Sequence, residues 1–178
     1  MSVESAIALI ESVKDSKVLF VGDYIVDEYH YVFPLGKAAK EFLIPVQYLH
    51  KEVFEGGVGA AANHATSFCT VDVCKSPTPI RKVRMVDVNS NQKLFEVHYE
   101  DVEARNSYLE GEYDAIVVND FGHNRVSNDM ISKLCARKEF LAVTAQTNSA
   151  NRGFNLITKY PRADYIVIDE PEARLAAS

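Results

Sequence analysis

The sequence predicts an α/β fold: a parallel, Rossmann-like layered core with a small β-sheet excursion. Short continuous apolar runs recur at Lys17–Val21, Asp114–Val118, Phe140–Val143 and Ala163–Ile168. Such runs mark strands covered on both faces. Helix-patterned segments lie between them, which is the signature of βαβ units. Arg81–Asp87 and Lys93–Tyr99 instead alternate apolar and polar at period two, as a sheet exposed on one face does.

In chain order, Ala6, Leu9, Ile10 and Val13 recur at helical spacing, so residues 3–14 read as an amphipathic helix. The run Lys17–Val21 is the first strand and ends at Gly22-Asp23. Residues 24–55 hold short β-like runs (Tyr29–Phe33, Ile44–His50) broken by Pro34, Gly36 and Pro45. The turn Gly56-Gly57-Val58-Gly59 then precedes an Ala-rich helix over Ala60–Phe68. Val71–Cys74 is a brief strand. Arg81–Asp87 and Lys93–Tyr99 form a hairpin around Asn89-Ser90-Asn91. The buried strand at 114–118 ends in Asn119-Asp120 and leads to a helix over Val126–Arg137, with Ser127 or Asn128 as its N-cap. Buried strands at Phe140–Val143 and Ala163–Ile168 follow, the last running into Asp169-Glu170-Pro171-Glu172. The core is thus assigned to residues 1–23, 56–77 and 100–178, and the small sheet to 24–55 and 78–99.

The 178 residues suit one domain with a real core. There are 25 acidic and 19 basic residues, a net charge of −6. That balance argues against a nucleic-acid or anionic-membrane partner, because both need clustered Lys and Arg. Cys69, Cys74 and Cys135 are odd in number and lack zinc or redox spacing. They read as reduced thiols, and the expected location is the cytoplasm. The N-terminus lacks the pattern of a signal peptide, and no apolar stretch is long enough for a membrane span.

Ligands of open parallel sheets bind beyond the carboxyl ends of the strands. Four strand ends here carry polar residues: Gly22-Asp23 with Asp27, Asn119-Asp120 with Gly122-His123, Gln146-Thr147-Asn148, and Asp169 with Glu172. The glycine turn at 56–59 has two readings: a place where backbone approaches a ligand, or a tight turn without one. It is neither a dinucleotide fingerprint nor a P-loop. Asn63 lies one turn into the following helix, where Asn is a poor interior residue. Arg81, Lys82 and Arg84 are either a solvated β face or contacts for an anionic group on a small substrate. Asp169 and Glu172 are either Mg²⁺ holders acting through water or the acidic first turn of a helix.

Together these residues resemble the ribokinase-like (PfkB-type) carbohydrate kinases, most of all the heptose-phosphate kinase branch. Val21-Gly-Asp-Tyr-Ile-Val-Asp27 is similar to the family's opening strand. Gly56-Gly57 with Ala62-Asn63 resembles its sugar-binding helix start, and Thr78–Arg84 with Asn91-Gln92 its second lid hairpin. Asn119-Asp120-Phe121-Gly122 resembles its Asp-Tyr-Gly strand end, and Asp169-x-x-Glu172 its Asn-x-x-Glu motif. The resemblance implies a ribokinase-like core with a β-sheet lid, and ATP-dependent phosphorylation of a sugar or sugar phosphate. It implies an acceptor set of Asp23, Asp27, Gly56, Gly57, Asn63 and Asp120. It implies Glu172 and Asp169 at Mg²⁺, ATP as the donor, and a homodimer formed through the lid.

The departures are specific. The glycine pair lies further from Asn63 than in the family pattern, and Asp169 replaces Asn. Ala145-Gln146-Thr147-Asn148 stands in place of Asp-Pro-Lys-Gly, and a βα unit is shortened between Cys69 and Thr78. The Gly-x-Gly-Asp motif, which carries the family's catalytic base and anion hole, is absent from the 178 residues. No catalytic residue is therefore expected within this sequence, and the resemblance puts the base beyond Ser178. The expectation is a truncated, N-terminal sugar-binding and lid portion that does not catalyse by itself. The alternative is a non-catalytic binding or dimerisation module.

Overall fold

The computed structural model describes residues 2–38, 41–147 and 154–178. Among them the strands form two sheets. Five parallel strands in the order β4-β1-β7-β8-β9 make the core: β1 (Lys17–Gly22), β4 (Thr70–Cys74), β7 (Ala115–Asp120), β8 (Phe140–Ala145) and β9 (Tyr165–Ile166). Four strands in the order β3-β2-β5-β6 make the second sheet: β2 (Tyr24–Pro34), β3 (Val46–Gly56), β5 (Ile80–Asp87) and β6 (Lys93–Tyr99).

Among the described residues, α3 (Asn128–Ala136) covers one face of the core sheet and α2 (Gly57–Ala65) covers part of the other. α3 buries Met130, Ile131 and Leu134 against Leu19, Val21, Ile116, Val118, Leu141 and Val143. Full burial of side chains of this size stabilises by roughly 1.5–3 kcal/mol each. Its N-cap is Ser127, whose hydroxyl accepts from Met130 N at 3.2 Å. On the opposite face, α2 packs Val58 and Ala62 on Phe20 and Val117.

Several expectations shift. The broken β runs predicted over 24–55 are two eleven-residue strands, β2 and β3, paired antiparallel with an irregularity between Tyr31 and Val32. Backbone pairing overrides the punctuation of Pro34 and Pro45, which fall at or next to the strand ends. The helix predicted to begin at Ala60 begins three residues earlier, inside the glycine turn, and ends at Ala65. The main-chain carbonyl of Asp23 accepts from Val58 N at 2.9 Å and substitutes for a side-chain cap. The run Ala163–Ile168, read as a buried strand, pairs only at Tyr165 and Ile166, which are 57% and 49% exposed. β9 lies at the sheet edge, and the face shared by Val117, Ala142, Thr144, Tyr165 and Val167 is an open apolar groove. The amphipathic helix α1 (Val3–Ser12) forms, capped by Ser2, but buries none of its residues.

Candidate functional site

β1 runs through Asp23 directly into β2, so the second sheet starts from the strand ends of the core. Register places Asp27 beside Phe54 on β3 and Lys82 on β5, while Tyr29 pairs with Arg84. On β6, His98 and Glu96 oppose Lys82 and Arg84. Residues in register share a face, so these side chains form one inner surface. Glu100, just past β6, lies 3.2 Å from His123 Nδ1 in the loop after β7. His123 is pushed below the usual histidine range, first by burial and then by the charge of Lys82. The inner surface therefore looks onto the loop that follows Asp120.

Asp23 sits at the end of β1, fully buried. Its Oδ2 accepts from the backbone N–H groups of Phe121 at 2.6 Å and His123 at 3.4 Å. Its Oδ1 is buried and has no hydrogen-bond partner among the described residues. Burial, and then the negative charge of Asp120, push its carboxyl up to about 7. Asp23 ties β1 to the 121–123 loop.

Asp120 is 2% exposed. Its Oδ1 accepts from Gly122 N and Asn155 Nδ2, both at 3.1 Å. Its Oδ2 accepts from Tyr160 Oη at 2.6 Å and pairs with Lys159 Nζ at 2.5 Å. Lys159 also donates to Asn155 Oδ1. Burial and the neighbouring Asp120 carboxylate push the Tyr160 phenol well above its ordinary range. A cavity lined by Gly122, Asn124, Asn128, Phe154, Asn155 and Lys159 lies beside this cluster. Asn155, Lys159 and Tyr160 carry no motif, and only tertiary contact reveals them.

Asp27 lies on the inner surface, its Oδ1 paired with Arg84 Nη1. A Cβ on Gly56 would fall 2.5 Å from Asp27 Oδ2, so the glycine leaves room for the carboxylate. Gly57 has φ +59°, and a Cβ there would meet the Asp23 carbonyl oxygen at 2.1 Å. Gly57 is thus required by its conformation and its approach to backbone, whereas a Cβ on Gly56 would displace only the end of the Asp27 side chain. Asp23, Asp27, Gly56 and Gly57 are brought together, with Asp120 behind the shared 121–123 loop. Asn63 is exposed on α2, and among the described residues its side chain makes no hydrogen bond.

Asp169 and Glu172 form a reciprocal cap on α4 (Glu170–Ala176). Asp169 Oδ1 accepts from Glu172 N at 2.8 Å, and Glu172 Oε2 accepts from Asp169 N at 3.1 Å. Glu172 Oε1 accepts from Thr147 N at 2.8 Å, fastening α4 to the end of β8. At the other end of α4, Ser178 donates its hydroxyl to Leu175 O at 2.8 Å. Ser178 is exposed there and contributes only to that helix end, not to the cluster around Asp27. Asn148, the remaining residue of the β8 strand end, lies outside the described residues. Among the described residues, no group of three His, Cys, Asp or Glu side chains is placed to hold a metal ion. The donor set at 169–172 fits a helix cap and does not by itself fit Mg²⁺.

No protein-family model matches the sequence, and no curated protein matches it. Solved structures do match. A carbohydrate kinase from Agrobacterium tumefaciens is similar at TM-score 0.54 and 13% identity, over 90% of this chain and 63% of that one. The Methanocaldococcus jannaschii nucleoside kinase, an archaeal member of the ribokinase family, is similar at TM-score 0.56 and 8% identity, over 93% and 64%. A ribokinase from Cryptococcus neoformans var. grubii in complex with ADP is similar at TM-score 0.50 and 13% identity, over 89% and 58%. The chain therefore spans about three-fifths of the length of these structures. Across about nine-tenths of its own length it has the ribokinase-like α/β fold, a parallel core with a second, smaller sheet.

Proposed function

We propose that this chain is the acceptor-binding and lid portion of a carbohydrate kinase of the heptose-phosphate type, with the second sheet as the lid. The observation that supports this most directly is the gathering of Asp23, Asp27, Gly56 and Gly57 where the inner surface of that sheet meets the strand ends of a kinase-like core. Asp27 Oδ2 accepts a sugar hydroxyl, and the glycine turn lets the ligand approach the backbone. Asp23 holds the 121–123 loop in place, and Asp120 fixes the segment around Asn155 and Lys159 behind it. Lys82 has no ion-pair partner among the described residues, and it lies beside Asp27 in register. That favours an acceptor bearing its own phosphate over a neutral sugar.

The family's donor, Mg²⁺-ATP, supplies the phosphoryl group. The residues here do not fit it: Gly-x-Gly-Asp is missing from the sequence through Ser178, and the 169–172 carboxylates are engaged in a cap. No transfer step is assigned to this chain, and the 178 residues alone are expected not to turn over ATP. The outer surface of the second sheet exposes Tyr48, Val53, Phe95, Val97 and Tyr99, which supports a homodimer through the lid. The three cysteines are free, in keeping with a cytoplasmic location.

Calorimetric titration of the purified chain with D-ribose, D-fructose 6-phosphate and a heptose 7-phosphate tests the reading. Binding of a sugar phosphate that is weakened in D27N supports it. No heat with any of the three refutes it, and a dimer by light scattering without binding supports the non-catalytic dimerisation module.

A further inference from the structure

The inner surface of the second sheet carries an ion-pair chain that the sequence motifs do not account for. Arg84 on β5 reaches across to β2 and pairs through Nη1 with Asp27 Oδ1. Its Nε pairs on the other side with Glu96 Oε2 of β6 at 2.5 Å. Glu96 Oε1 in turn meets His98 Nε2. The guanidinium also lies over the ring of Tyr29, 5.3 Å from its centroid, and Tyr29 stands edge-on to Phe54 at 5.8 Å. The Arg84 side chain is only 13% exposed, so it is clamped by two carboxylates and packed against an aromatic pair.

The two oxygens of Asp27 are thereby made unequal. Oδ1 belongs to Arg84. Oδ2 lies over Gly56, 2.5 Å from where a Cβ would stand, and accepts no hydrogen bond among the described residues. An exposed aspartate on a strand samples several rotamers, and fixing one of them in advance lowers the entropic cost of binding. Arg84 on its own would neutralise Asp27 but remain free to swing into the cleft. Glu96 prevents that by holding the opposite side of the guanidinium, in the fork geometry that suits Arg and not Lys.

We infer that Arg84, itself held by Glu96, is the positioning residue for Asp27: it presents Oδ2 as the acceptor for a substrate hydroxyl. The inference rests on the acceptor-site reading for its consequence in binding, but the geometry it describes exists without ligand. Two measurements therefore separate the two.

The first uses the full chain without ligand and follows the Asp27 carboxyl carbon by NMR. A single sharp resonance is expected in the wild type. In R84Q and in E96Q it is expected to move and broaden as the carboxylate regains its rotamers. An unchanged resonance in both variants overturns the inference, whatever the chain binds. E96Q guards against failure of R84Q to fold, since it leaves the Asp27–Arg84 pair chemically intact.

The second is a double-mutant cycle on the affinity for a heptose 7-phosphate. R84Q is expected to weaken binding about 10- to 100-fold. R84K is expected to recover only part of that, and D27N/R84Q to be no weaker than D27N. Additive losses mean that Arg84 contacts the ligand independently of Asp27, which overturns the inference while leaving the acceptor site standing. A wild type that binds nothing, with an Asp27 resonance still sensitive to R84Q and E96Q, retains the positioning and refutes the acceptor site.

Discussion

Replacing Asp23 by Asn should remove a pH dependence that the wild type cannot avoid. The carboxyl is raised from an ordinary 3.8 to about 7 by burial and by the neighbouring Asp120. A carboxyl raised on folding binds more protons in the folded than in the unfolded chain between those two values. Its contribution to stability is therefore fully present below about pH 4 and is lost as pH rises through about 7. The gap corresponds to a ceiling of roughly 4 kcal/mol, which relaxation around the ionised group reduces. Oδ2 already accepts from Phe121 N, and Oδ1 has no hydrogen-bond partner among the described residues. Asn keeps an oxygen for the Phe121 and His123 N–H groups and cannot ionise. Urea denaturation of wild type and D23N at half-unit steps from pH 4 to pH 8 should show the wild type losing stability relative to the variant as pH rises. A difference that stays flat, or that grows in the wild type's favour toward pH 8, would refute the assignment of Asp23 as a buried carboxyl at a proton-linked joint.

Other outcomes follow from the same geometry. G57A places a Cβ against the Asp23 carbonyl in a left-handed conformation and should lower stability by about 1–3 kcal/mol or more, measured by urea denaturation. Y160F takes a 2.6 Å donor from buried Asp120 and should destabilise by about 1–3 kcal/mol, with faster amide exchange across residues 155–160. L134A empties a fully buried site between α3 and the sheet and should destabilise by about 2–5 kcal/mol while leaving any sugar-phosphate affinity unchanged.

The elements with a strong local signal are legible in the sequence. α3 announces itself by Ser127 and its apolar stripe, and the β5–β6 hairpin by alternation around Asn89-Ser90-Asn91. The core strands are visible as apolar runs, each short by two residues at Asp120 and Ala145. The edge strand β9 is not buried as its composition suggests, because a run such as Tyr165-Ile166-Val167-Ile168 reads the same whether or not a layer covers it. In the site, Asp23 and Asp27 are legible as polar residues at and just past a strand end, and the glycine pair as a turn.

The residues that decide how those groups behave are not legible. Asp27 and Arg84 are 57 positions apart, and Asp120 and Tyr160 are 40 apart. No short-range pattern records such pairs, because sheet register and loop return bring them together only after the chain has folded. The sequence by itself determined the α/β layering, the small second sheet and the polar strand ends, since each depends on hydrophobic periodicity and turn chemistry within a few residues. Tertiary structure alone decided that the Asp23 carboxyl is buried and raised, that Asp120 is fully engaged, and that Asp169 and Glu172 close a helix cap. Ionisation and hydrogen bonding depend on what surrounds a group in space, and that surrounding is drawn from the whole length of the chain.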